Sequence, residues 1–81
     1  MKALVQVTLK PDVLDPQGKA IRSACGQLGY GGVESVRQGK IFEIGLSADS
    51  EADARRLLEE LAGKLLANPV IEDYAILRIE P

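Results

Sequence analysis

Apolar residues alternate from Lys2 to Leu9, with Ala3, Val5, Val7 and Leu9 on one side and Leu4, Gln6 and Thr8 on the other. That is the period of a half-buried strand. Pro11 disfavours helical geometry at Lys10 and ends it. The period then lengthens: from Pro16 to about Leu28, the residues Ala20, Ile21, Ala24, Cys25 and Leu28 share one stripe of a helix. Asp15 is placed to accept N–H groups that the first turn leaves unpaired, Pro16 brings a preset φ to the first helical position, and Gly29 stands where a left-handed cap is wanted. The stripe predicts a buried face, with Cys25 as a small core residue. Val33 to Arg37 reads as a short strand, Gln38-Gly39 as a turn, and Lys40 to Ser47 as a strand with Phe42, Ile44 and Leu46 on one face, together a hairpin. Ser50-Glu51-Ala52-Asp53 resembles a capping box with Asp in place of Glu. It opens a second helix in which Ala54, Leu57, Leu58, Leu61, Ala62 and Leu65 recur at helical spacing. Its outer face carries the pairs Glu51 with Arg55 and Glu60 with Lys64. Asn68-Pro69 stops it, and Tyr74 to Ile79 supplies a last strand in which Ala75, Leu77 and Ile79 oppose Tyr74, Ile76 and Arg78.

The order βαββαβ in 81 residues predicts one α+β domain spanning residues 1–81. The expected architecture is a ferredoxin-like two-layer sandwich, a four-stranded antiparallel sheet with two helices on one face. No element remains to cover the other sheet face, toward which Leu4, Ile41 and one apolar member of the last strand should point. A domain of this size has a thin core, and an open apolar face implies self-association, as a dimer or a tetramer.

Composition narrows the chemistry. Hydrophobic content of 46% with 27% charged residues suits a globular domain, and 4% aromatics means an aliphatic core. Nucleic-acid binding on the sheet would need stacking aromatics and a basic balance, whereas the only aromatics are Tyr30, Phe42 and Tyr74 and the pI is near 5.0. No apolar run is long enough to span a bilayer, and the opening M-K-A-L-V-Q-V-T-L is too short and too alternating for a signal peptide, so no membrane role is expected and the expected compartment is the cytoplasm. With no histidine, the usual general base, the commonest transition-metal ligand and every Cys-His nucleophile pair are missing. Cys25 is the only cysteine, which excludes an internal disulfide and a thiolate metal cluster. Gly29-Tyr30-Gly31-Gly32 and Gln38-Gly39-Lys40 lack Walker spacing and read as cap and turn. Glu72 and Asp73 are adjacent in a strand or its approach, so they point apart, and no third metal ligand is indicated. An acylphosphatase-like activity would need an anion-binding loop with an Arg and an Asn, and none stands out. Met1 to Lys40 carries six Lys/Arg against three Asp/Glu, and Ile41 to Pro81 four against nine, an asymmetry able to orient a protein partner. The residues by themselves lead to a small interaction domain without an active site of its own.

Two stretches go further. Leu9 to Gly18 (L-K-P-D-V-L-D-P-Q-G) and Leu65 to Tyr74 (L-L-A-N-P-V-I-E-D-Y), with Leu28-Gly29-Tyr30, Val36-Arg37 and Gly39-Lys40 between them, resemble the small PurS subunit of phosphoribosylformylglycinamidine (FGAM) synthase over nearly the whole chain. Asp12 stands where that family more usually has Gly. The resemblance implies a non-catalytic component of the fourth step of de novo purine synthesis. There a large subunit uses ATP and Mg²⁺ to activate formylglycinamide ribonucleotide, a glutaminase subunit releases ammonia, and the small subunit holds the two together for ammonia transfer. No cofactor is expected on this chain. The resemblance carries over Lys10, Asp15, Pro16, Gln17, Gly18, Arg37, Lys40, Asn68, Pro69, Glu72, Asp73 and Tyr74. Caps and turns account for Asp15, Pro16, Gly18, Asn68 and Pro69. Lys10, Arg37, Lys40, Glu72 and Asp73 are the candidates for partner contacts, because neither caps nor cores require them. An alternative of a different class is an ACT-like small-ligand regulatory module, which shares the βαββαβ order.

Overall fold

The computed structural model describes residues 1–81. In chain order it contains β1 (Lys2–Leu9), α1 (Pro16–Gln27), β2 (Gly39–Gly45), α2 (Glu51–Leu61) continued by a π-helical turn (Ala62–Leu66), and β3 (Glu72–Glu80). The strands form one antiparallel sheet in the order β2-β1-β3.

The sheet has three strands, not four. Val33 to Arg37 forms no strand, and Gln38, expected in the turn of a hairpin, gives its N–H to the Asp15 carboxylate at 2.6 Å. The backbone there is held by a side chain rather than by a ladder. Gly39 does open β2, and a Cβ at that position would sit 2.8 Å from Thr8 Cγ2 and 2.9 Å from the Val7 carbonyl oxygen, so the approach of β2 to β1 requires glycine.

The core lies between the sheet and α2. Ala3, Val5, Leu58 and Ala62 form its fully buried centre, with Phe42, Ile44, Leu46, Leu66, Ile76 and Ile79 packed around it. The last strand departs from simple alternation. Ile76 pairs with Val5 and Ile79 with Ala3, with a register irregularity between Leu4 and Val5, so both isoleucines face α2 although they are three residues apart. The bulge inserts Leu77 between them. On the opposite face Leu4 pairs with Glu43 and Arg78, and Gln6 with Ile41 and Ala75. That face is uncovered, with Ile41 and Leu77 more than half exposed.

Both helices begin as the sequence predicts. Asp15 Oδ1 accepts the Gly18 N–H at 2.9 Å, and Ser50 Oγ accepts that of Asp53 at 3.1 Å. Helix α1 ends with Gly29 at φ +92 and with Tyr30 N–H returning to the Cys25 carbonyl, the pattern of a left-handed cap. Asn68 stops the second helical segment, its side chain accepting the Val70 N–H. The early ion pair on α2 is Asp53 with Arg56 rather than Glu51 with Arg55, while Glu60 and Lys64 pair at 2.7 Å.

The expectation of two helices on one sheet face fails for α1. Gly18 is its only buried residue, and Ile21 and Leu28 are 47% and 72% exposed. Cys25 is only partly buried, so the apolar stripe is real but is left mostly uncovered by its own chain. The chain is correspondingly elongated, 51 × 26 × 14 Å.

Candidate partner interface

The antiparallel order brings the end of β1, the start of β2 and the start of β3 to one end of the sheet. Thr8 lies between Gly39 and Asp73, Val7 is opposite Lys40, and Leu9 is opposite Glu72. All five residues singled out as partner contacts therefore meet there. Lys10 Nζ reaches Asp73 Oδ1 at 2.6 Å, Lys40 Nζ lies 3.6 Å from Glu72 Oε2, and the Arg37 guanidinium donates to the Lys10 carbonyl at 2.9 Å. Asp73 and Glu72 point to opposite faces, as adjacent strand residues must. Glu72 is the more enclosed, its side chain 12% exposed, and its Oε1 accepts the Asn68 N–H at 2.7 Å. Lys40 and Asp73 remain largely open to solvent.

Ion pairs this exposed contribute only about 0–1 kcal/mol to folding. The cluster therefore owes little to stability, and its ammonium and guanidinium groups keep donors free for a second protein. Two shallow hollows flank Glu72. One, of about 170 Å³, lies between Gln17, Gln38 and Lys40 over Val7 and Leu9; the other, of about 370 Å³, lies between the π-helical turn and Tyr74, with Lys10 and Asp73 at its edge. No group of three His, Cys, Asp or Glu side chains is placed to hold a metal ion.

Sequence reasoning missed the second role of Asp15. Its carboxylate accepts two backbone N–H groups, from Gly18 at the start of α1 and from Gln38 at the entry to β2. Those bonds, Gln38's first, hold its carboxyl below the usual carboxylate range against the cost of desolvation, and the nearby Arg37 charge acts in the same direction. A signal was present in Gly18, a poor helix former in the first turn of a helix. A Cβ there would clash with the Val36 carbonyl oxygen and with Asp15 Oδ2, so the glycine marks where the 36–38 segment crosses the helix start.

The self-association candidates Leu4 and Ile41 fall on the uncovered sheet face, Ile41 at 57% exposure and Leu4 partly buried between its neighbours. A second exposed apolar surface, on α1, has the periodicity of a core-facing stripe.

The family model for PurS, phosphoribosylformylglycinamidine (FGAM) synthase, matches residues 2–80. The chain belongs to the PurS family. The phosphoribosylformylglycinamidine synthase subunit PurS of Mycobacterium leprae is 48% identical over 95% of this chain and 94% of that protein. The Synechocystis subunit is 51% identical over 86% of this chain and 70% of its own length. The fold is shared as well. Methanocaldococcus jannaschii PurS, one of the subunits of formylglycinamide ribonucleotide amidotransferase in the purine biosynthetic pathway, superposes with a TM-score of 0.83 at 41% identity, covering 98% of each chain. A chain in the structure of PurLQS from Thermotoga maritima superposes with a TM-score of 0.88 at 26% identity, covering 96% of this chain and 95% of that one. As a PurS chain, this is a subunit of FGAM synthase in purine biosynthesis, and the ACT-like alternative is not favoured.

Proposed function

We propose that this PurS chain is a non-catalytic bridge, which holds the large ATP-dependent subunit and the glutaminase subunit of FGAM synthase together so that ammonia passes between them. The observation that carries the reading is the convergence of Lys10, Arg37, Lys40, Glu72 and Asp73 on one end of the sheet. Exposed charges of both signs at a single site favour a specific protein partner over a small ligand, because charge complementarity fixes orientation and register. ATP and Mg²⁺ belong on the large subunit in this reading, and the assembly works in the cytoplasm.

The bridge is itself a homo-oligomer. Only 9 of 81 residues are buried, too few for a chain of this length standing alone. The surfaces left over are an apolar helix stripe and an apolar sheet face, which are the two kinds of surface that α2 and the sheet already join within one chain. A second copy supplies both at once, in an isologous pair.

The test is a pair of assays on the reconstituted complex. Charge reversal at Lys10, Arg37 or Lys40 lowers glutamine-dependent synthesis more than synthesis supplied with high concentrations of free ammonia, because dissolved ammonia bypasses the docked glutaminase. Equal losses in both assays would place these residues in support of the large subunit instead. No loss in either would make them plain surface charges.

A further inference from the structure

The same carboxylate that caps α1 also holds the backbone at the entry to β2. Residues 28–38 contain no helix or strand, and their last part is held at three points. The Val36 carbonyl lies against Gly18, where no side chain fits; the Arg37 guanidinium donates to the Lys10 carbonyl at 2.9 Å; and the Gln38 N–H donates to Asp15 Oδ2 at 2.6 Å. Of these, only Asp15 makes hydrogen bonds to both the first turn of α1 and the approach to β2, through its two oxygens. It is 6% exposed, so it cannot itself offer much surface to another protein.

We infer that Asp15 is a positioning residue for docking: by bridging the first turn of α1 to the backbone of Gln38, it sets where Arg37 stands relative to Lys10 and to Lys40, which the sheet holds opposite Val7. A helix cap needs only one of its oxygens. A residue that serves as a cap alone, such as serine, satisfies Gly18 yet is too short to hold Gln38. Without the second bond, the backbone just before β2 keeps the Val36 approach to Gly18 and the exposed Arg37 contact to Lys10 but loses the one hydrogen bond to its own N–H, and Arg37 is held less closely. The inference rests on the docking role given to Arg37 and Lys40 above.

The experiment uses the full chain carrying Asp15→Ser or Asp15→Asn, with Asp12→Asn as a control that removes a neighbouring exposed charge. All are assayed well below their unfolding midpoints, where each remains helical by circular dichroism. In both Asp15 variants the Gln38 amide loses about tenfold or more of its protection from hydrogen exchange, as expected for loss of a charge-assisted bond. In the reconstituted complex the ratio of glutamine-dependent to ammonia-dependent synthesis falls, as it does for Arg37→Glu, while Asp12→Asn changes neither quantity. Unchanged Gln38 protection overturns the inference, and so does a loss of protection that leaves the ratio intact while Arg37→Glu and Lys40→Glu lower it. If those two reversals themselves leave the ratio unchanged, the docking reading fails, and the positioning role built on it fails as well.

Discussion

Helices α1 and α2 are both amphipathic, both begin at a side-chain cap, and both lead into a strand of the same sheet, yet only one is packed. Helix α2 buries Ala54 and Leu58 completely, and Ala62 in the turn that follows is equally enclosed. Helix α1 buries only Gly18, and is held by its first turn and by the Arg22 guanidinium, which donates to the Glu34 carbonyl. The difference separates two things that periodicity appears to promise together. A stripe of apolar residues requires cover, but it does not say which chain provides it. For α2 the cover is the sheet, most of it from strands that precede the helix; for α1 the chain itself supplies almost none.

Substitutions in the two helices break the comparison most sharply. Leu58→Ala removes the largest side chain fully buried against the sheet, and should cost about 2–5 kcal/mol. That is a large part of the roughly 5–15 kcal/mol that holds a typical domain together, so urea denaturation should show a much lower midpoint. Ile21→Asp on α1 should act on assembly instead. Sedimentation at micromolar concentration should move toward monomer while circular dichroism retains the helix, and Leu4→Asp or Ile41→Asp should do the same if the open sheet face shares in the contact. A wild-type chain that sediments as a monomer would remove self-association altogether.

What the sequence disclosed follows the range of the interaction involved. Asp15, Ser50, Gly29 and Asn68-Pro69 act within a few residues, and each helix boundary they predict is found. The order of elements was legible in outline, but the expected edge strand was not a strand. Val33 to Arg37 has the composition of one, while the partner that claims the backbone at Gln38 is a carboxylate 23 residues earlier, which no local pattern records. The bulge in β3 was hidden for a similar reason, since pairing with β1 decides that Ile76 and Ile79 share a face. The candidate interface was nameable residue by residue, because Lys10, Arg37, Lys40, Glu72 and Asp73 had no structural duty that sequence could assign. Their convergence came from the strand order β2-β1-β3.

A smaller effect tests the joint between the two regions. Asp15→Ala removes both bonds of the bridge and should lower the thermal midpoint by about 4–8 °C at neutral pH, the shift expected from losing a helix cap in a domain of this size. The pH dependence has a fixed sign. The Asp15 carboxyl is held below its ordinary value in the folded chain, so its contribution is complete above the unfolded value of about 3.9 and is lost as pH falls through the lower, folded one. The gap between wild type and Asp15→Ala should therefore be widest at neutral pH and close in acid. A gap that stays constant from neutral pH into strong acid would mean that the loss is one of shape and not of charge.

The smallest effect belongs to the outer face of the packed helix. Lys64 and Glu60 meet at 2.7 Å with side chains 70% and 58% exposed, and the ammonium's hydrogen bond and charge hold the Glu60 carboxyl below its usual range. Because α2 is secured by Leu58 and Ala54 on the other side, this pair adds little. Lys64→Ala should move the thermal midpoint by about a degree at low salt, and by less still at about 1 M salt, where the Debye length is roughly 3 Å. The local consequence is easier to see. In a carboxyl titration followed by NMR, Glu60 should return upward toward its ordinary value when Lys64 is removed, and the small difference in stability between the two chains should vanish once Glu60 is protonated in both. A Glu60 titration that does not move on removal of Lys64 would show that the pair is not formed in solution. A midpoint shift as large as that of Asp15→Ala would show instead that α2 depends on its exposed face, and the contrast drawn between a packed helix and a tethered one would no longer hold.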